Sequence, residues 1–169
     1  MRFLVIDDSM PMRRIVSNVL ARLGHTDVVL AANGREAMKR IESEQIDFVI
    51  TDWFMPEMSG IEFLRKVRDN PSTRNVPIVI ITANASSADV AHAVRLKVNG
   101  YVLKPITAEL LRERIDSICE SIAESRLAEP AGARQSEPAD GGQDGSPDAE
   151  GATPSTPVEA IADAVGATN

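Results

Sequence analysis

Two kinds of apolar pattern alternate along the chain. Unbroken apolar runs lie at Arg2–Ile6, Asp27–Ala31, Phe48–Thr51, Val76–Thr82 and Tyr101–Leu103. They lack the in-out alternation of a half-exposed strand, as expected of strands covered on both faces. Between them, apolar residues recur at helical spacing. The sets are Ile15, Val16, Val19, Leu20 and Leu23; Ala37, Met38 and Ile41; Ile61, Phe63, Leu64 and Val67; and Leu111, Ile115, Ile118, Cys119 and Ile122. A weaker, Ala-rich helix is expected from about Ser86 to Lys97.

Punctuation agrees with this reading. Pro11 suits the first turn of a helix, with Ser9 or Met10 as its cap, and Gly24 stops that helix. Asn33-Gly34 turns the chain into the second helix. Ser59 and Glu62 have the spacing of a capping box, and Asn70-Pro71 ends the helix they open. Asn99-Gly100 turns into the fifth strand. Five strand–helix units, each helix long enough for a right-handed crossover, predict an α/β fold with a parallel sheet covered on both faces.

From Glu129 the pattern stops. Prolines, glycines and alanines mix with acids, and few apolar residues appear before Val158. Such a segment cannot bury enough surface to offset its ordering entropy, so residues 1–128 are read as the domain and 129–169 as a disordered acidic tail. Val158, Ile161, Ala162 and Val165 have helical spacing, which makes 157–166 a candidate short helix, too short to stand alone. The formal charge of −7 belongs to this tail, where Arg134 stands against eight acids. An acidic tail on a neutral domain argues against nucleic-acid binding. No apolar run reaches membrane-spanning length, no signal-peptide layout opens the chain, and one cysteine provides neither disulfides nor a thiolate metal site. A cytoplasmic protein is expected.

Chemistry gathers where strands end. The first run ends in Asp7-Asp8, the third in Asp52, the fourth in Thr82 and the fifth in Lys104, whereas the second ends in Ala31-Ala32. Parallel strands place these ends on one edge of the sheet, where ligands bind in this architecture. Each residue alone has a plainer reading, as helix cap, strand residue or turn; together at four strand ends they outweigh it. Three neighbouring carboxylates repel unless a cation sits among them, and oxygen ligands without His or Cys suit Mg²⁺. Lys104 adds a fixed positive charge. With both cations present, one carboxylate is free to act as a nucleophile and accept a phosphoryl group, forming an acyl phosphate.

The run Phe3-Leu4-Val5-Ile6-Asp7-Asp8-Ser9, with Met12-Arg13-Arg14-Ile15-Val16, Thr51-Asp52-Trp53, Met55-Pro56, Met58-Ser59-Gly60, Thr82-Ala83 and Gly100-Tyr101-Val102-Leu103-Lys104-Pro105, closely resembles receiver domains of bacterial two-component response regulators. Among them it is most similar to stand-alone chemotaxis receivers of the CheY type. The resemblance covers about residues 1–125 and implies a flavodoxin-like sheet of strand order 2-1-3-4-5. It implies that Asp52 is phosphorylated by a histidine kinase, and that Asp8, Asp52 and the Phe54 backbone carbonyl bind Mg²⁺, with Asp7 acting through water. Lys104 would contact the phosphoryl group beside a cis bond to Pro105, Thr82 would swing toward it, and Tyr101 would move inward as the readout. The face of the fourth helix, fifth strand and fifth helix would engage an output protein, with a flagellar motor switch the leading expectation and an adaptor role in another phosphorelay the runner-up. A monomer that binds neither membrane nor nucleic acid is expected.

The chain also departs from that pattern. Phe54 stands where the chemotaxis protein has Asn, and Asn84, two residues after Thr82, replaces an acid. Both positions border the path of the attacking water, so Phe54 and Asn84 are expected to tune the lifetime of the acyl phosphate. Leu96-Lys97-Val98-Asn99 and Ile106 also depart from the family beside the output face. Other classes fit less well. Aspartyl-nucleophile phosphatases resemble this chain in chemistry but want Asp-x-Asp and a cap segment. A flavodoxin-like cofactor binder needs a phosphate loop where Asp7-Asp8 would repel one.

Overall fold

The computed structural model of the chain describes residues 1–83 and 86–128. Asn84 and the tail, with its candidate helix at 157–166, lie outside the described residues. Met1–Ile122 form one compact unit; of the second, Ala123–Asn169, the described part is the end of the last helix.

Five strands and five helices alternate: β1 (Phe3–Ile6), α1 (Met10–Arg22), β2 (Val28–Ala31), α2 (Gly34–Ser43), β3 (Phe48–Asp52), α3 (Gly60–Asp69), β4 (Ile78–Thr82), α4 (Ser87–Arg95), β5 (Gly100–Leu103) and α5 (Ala108–Ala128). The sheet is parallel, in the order β2-β1-β3-β4-β5. Successive strand residues point to opposite faces and so build two cores. Leu4, Ile6, Val49, Ile78 and Ile80 pack with Ala37 and Ile41 of α2, Phe63, Leu64 and Val67 of α3, and Ala93 of α4. Phe3, Val5, Phe48, Ile50, Val79 and Ile81 pack with Val16, Val19 and Leu20 of α1 and Leu111, Ile115 and Ile118 of α5. The central strands β1, β3 and β4 are apolar up to the Thr51-Asp52 and Thr82 that end β3 and β4, because both faces are covered. Among the described residues no helix is long and apolar enough to cross a membrane.

Local signals set the boundaries. Ser9, rather than Met10, caps α1, accepting the Met12 N–H, and Pro11 lies in the first turn. Asn33 caps α2, and Ser59 with Glu62 closes the expected capping box on α3. A second box, Ser86 with Asp89, opens α4. Three sequence expectations shift. Ile15 is not part of the buried stripe of α1 but 45% exposed, because Val16, Val19 and Leu20 already span the contact. The fourth strand begins at Ile78 rather than Val76, since Pro77 has no N–H to give to a ladder. The fourth helix stops at Arg95, and Lys97 takes a left-handed conformation with φ 57°.

Candidate functional site

Register brings the strand ends together. Ile6 pairs with Thr51, Asp52 with Ile81 and Thr82 with Leu103, so Asp7, Asp52, Thr82 and Lys104 follow at one edge. Asp7, Asp8 and Asp52 each offer a carboxylate oxygen, and these oxygens all lie within 4.8 Å of one another. Asp7 is buried, Asp52 half-buried and Asp8 exposed. Lys104 Nζ donates to Asp52 Oδ1 at 2.9 Å and to Asp7 Oδ2 at 3.1 Å, joining the ends of three strands. The Lys104–Pro105 bond is cis.

Electrostatics follow from this crowding. Burial raises the pKa of Asp52; the hydrogen bond and charge of Lys104 oppose the rise, while Asp7 adds to it. For Lys104, desolvation works to lower the pKa, but the bonds to Asp52 and Asp7 outweigh it and the net shift is upward. The lysine is therefore cationic at neutral pH. All three carboxylates offer hard oxygen donors, and the one lysine does not neutralise them. Such a donor set fits a small divalent cation of the Mg²⁺ kind. Among the described residues it is the single group of three or more His, Cys, Asp or Glu side chains close enough to share an ion.

The backbone of Asp52 is held independently of its carboxylate. The buried Thr51 hydroxyl donates to the Asp52 carbonyl at 3.0 Å, and the Gly60 N–H donates to the Trp53 carbonyl at 3.0 Å. A Cβ at Gly60 would collide with the Asp52 carbonyl oxygen, so glycine lets the start of α3 close on the end of β3. On the other side, Ser9 N–H donates to Asp7 Oδ1 at 2.8 Å, and Arg13 Nη1 donates to the carbonyls of Asp7 at 2.6 Å and Asp8 at 3.2 Å. Sequence reasoning assigned no role to Thr51, Gly60 or Arg13. A threonine in a β-branched run carries no distinguishing signal, and nothing in the adjacent pair Arg13-Arg14 says which turns back to the acids.

Thr82 is buried at the end of β4. Tyr101 stands inward, its ring edge-on to Trp53 with centroids 6.4 Å apart. Its hydroxyl is sealed from solvent without a hydrogen bond of good geometry. Burial raises its pKa, and the nearby Thr82 hydroxyl offsets part of the rise. Trp53 is 5% exposed and packs in the core beneath α2, α3 and α4, so it adjoins Asp52 along the backbone while its indole faces Tyr101. Phe54 is 61% exposed and tilts over Trp53 at 6.2 Å.

Known proteins resemble this chain in sequence and fold. The response regulator receiver domain profile matches residues 3–116. A chemotaxis protein CheY homolog of Campylobacter jejuni is 42% identical over 119 residues, which are 70% of this chain and 92% of the relative. The chemotaxis protein CheY of Pseudomonas aeruginosa is 41% identical over 122 residues, covering 72% of this chain and 98% of the relative. The solved structure of the Vibrio cholerae chemotaxis protein CheY4 superposes with a TM-score of 0.65 at 31% identity, covering 69% of this chain and 97% of that one. With its strand order, its acidic strand ends and the lysine that spans them, the chain belongs to the family of response regulator receiver domains.

Proposed function

We propose that the chain is a phosphorylation-controlled binding module in which Asp52 accepts the phosphoryl group. Receivers of this family take a phosphoryl group from a kinase, bind Mg²⁺ at an acidic pocket and act on a partner, and they are signalling proteins rather than metabolic enzymes. The observation that carries the reading here is Lys104 Nζ seated between Asp52 and Asp7 within the three-carboxylate cluster.

Each residue then has a task. The Asp52 carboxylate attacks the phosphorus of a phosphohistidine on a histidine kinase. An O–P bond forms, the P–N bond breaks, and the imidazole leaves with its electron pair and takes a proton from water. Asp8, Asp52 and the Phe54 carbonyl would hold Mg²⁺, with Asp7 acting through water, and the ion would supply positive charge to the phosphoryl oxygens. Lys104 gives up its bond to Asp52 and turns to the incoming group, keeping Asp7 as its anchor. Thr82, at the end of the neighbouring strand, offers its hydroxyl. Tyr101, packed inward behind Thr82, reads out the change on the face of α4, β5 and α5. Phe54 and Asn84 tune how long the acyl phosphate lasts. The chemotaxis names of the relatives support an output in chemotaxis, and the output protein proposed for this chain is of the flagellar motor switch class.

A small-molecule phosphodonor tests the core of this reading. With Mg²⁺ present, the wild type should gain one phosphoryl group by mass, Asp52→Asn should gain none, and Lys104→Ala should show a blunted response. Phosphorylation of Asp52→Asn at the wild-type rate would refute it. For the output, a motor-switch protein should be captured by the beryllofluoride-treated protein and not by the untreated one. Equal capture in both states would remove the switch from the proposal.

A further inference from the structure

Arg13 occupies a place that the phosphorylation chemistry leaves unassigned. It lies in the first turns of α1, yet its guanidinium folds back to the preceding loop. One nitrogen, Nη1, donates to both the Asp7 carbonyl and the Asp8 carbonyl. Consecutive carbonyls are thus drawn to one point, which fixes the peptide plane between the two acids. Asp7 is pinned three more times: Oδ1 by the Ser9 N–H, Oδ2 by Lys104, and its own N–H by the Ala31 carbonyl at 3.3 Å. Asp8 is exposed, and among the described residues its hydrogen bond is the one that Arg13 donates to its carbonyl. The carboxylate of Asp8 therefore owes its aim to the backbone that Arg13 holds.

We infer that Arg13 is a positioning residue for divalent-cation binding, acting through the backbone of the Asp7-Asp8 turn. This rests on the reading that the acidic cluster takes Mg²⁺. Charge and geometry make opposite predictions, which is what lets the idea be tested. As a bare positive charge near three carboxylates, Arg13 would weaken cation binding, and its removal would tighten it. As a clamp, Arg13 strengthens binding by holding ligands in place before the ion arrives, and its removal loosens binding. Groups that orient metal ligands are commonly worth tenfold or more in metal affinity. A lysine keeps the charge, but as a point charge it lacks the planar guanidinium that sets the angle of the clamp.

The experiment is a Mg²⁺ titration of the full chain followed by Trp53 fluorescence and by calorimetry, with thermal melts recorded without Mg²⁺. The wild type, Arg13→Lys, Arg13→Gln and the neighbouring Arg14→Gln are compared. The clamp predicts a Kd for Mg²⁺ raised about tenfold in Arg13→Gln, partial recovery in Arg13→Lys, and no change in Arg14→Gln. A Kd unchanged or lowered in Arg13→Gln, while the wild type binds, would overturn it. A lower melting temperature with an unaltered Kd would do the same, leaving Arg13 a purely structural contact. Should Arg13→Gln fail to fold, Arg13→Lys decides alone: a wild-type Kd there rejects the clamp. A wild type that binds no Mg²⁺ by calorimetry would defeat the underlying reading of the cluster and the clamp with it.

Discussion

At the scale of single residues, the proposed function makes Phe54 the position that sets the lifetime of the acyl phosphate. Its ring is largely exposed, leans on Trp53 and fills no core volume. An apolar side chain two residues after Asp52 gives an attacking water no hydrogen-bonding partner, whereas an amide at the same position would orient one. Phe54→Asn should therefore lose its phosphoryl group faster than the wild type, by roughly tenfold, which corresponds to about 1.4 kcal/mol in the barrier. Decay of the phosphoprotein after removal of the donor measures this. A mutant that decays equally or more slowly would refute it. Because the ring is exposed, the same substitution should leave the melting temperature nearly unchanged.

At the scale of elements, the loop between α4 and β5 depends on a residue from α3. Arg68 sits at the end of that helix and donates to the carbonyls of Arg74 at 3.0 Å, Val76 at 2.8 Å and Lys97 at 3.2 Å, and to Asn99 Oδ1 at 2.9 Å. Asn99 Oδ1 also accepts the Ile78 N–H, the first amide of β4, which follows Pro77. Desolvation lowers the Arg68 pKa to about 10, which still leaves it charged at neutral pH. One guanidinium thus ties the start of β4 to the loop where Lys97 takes its left-handed turn. Bonds from a charged donor contribute more than neutral ones, so Arg68→Met should cost about 2–3 kcal/mol in urea unfolding. Hydrogen exchange should also quicken at Ile78 and Asn99. A loss below about 1 kcal/mol would mean that other contacts hold the loop.

At the scale of the whole molecule, the acidic edge sets site chemistry against fold stability. The folded-state pKa of Asp52 is raised, first by burial, above its value in an unfolded chain. Its support for the fold is therefore complete below the ordinary aspartate range and is lost as pH rises through the folded pKa. At neutral pH without Mg²⁺ the ionised carboxylate weakens the fold, and Asp52→Asn should melt higher than the wild type. The gap should close as the solution is acidified, because the carboxyl then takes up its proton. Added Mg²⁺ should reverse the order: at about 100 times its Kd a ligand adds about 2.7 kcal/mol to the wild type, and the mutant should gain far less. Melting curves at two pH values, with and without the ion, provide the comparison. A wild type that melts above the mutant at neutral pH without Mg²⁺ would contradict this.

The succession of elements was legible in the amino-acid pattern because it rests on local physics. Unbroken β-branched runs, the cap at Ser59 and the stop at Gly24 act within a few residues of themselves. Parallel strands alone imply that Asp7, Asp8, Asp52, Thr82 and Lys104 meet at one edge, so the membership of the site was readable too. Its internal arrangement was not, since that depends on pairing between distant segments. Register set Asp7 beside Asp52, and only then could Lys104 reach both. The exposure of Ile15, the inward stand of Tyr101 against Trp53 and the closure of α3 on Asp52 through Gly60 follow from packing in three dimensions. The same holds for the choice between two adjacent arginines. Arg13 and Arg14 are equivalent as letters, and the direction of one helix turned the first of them back onto the acids.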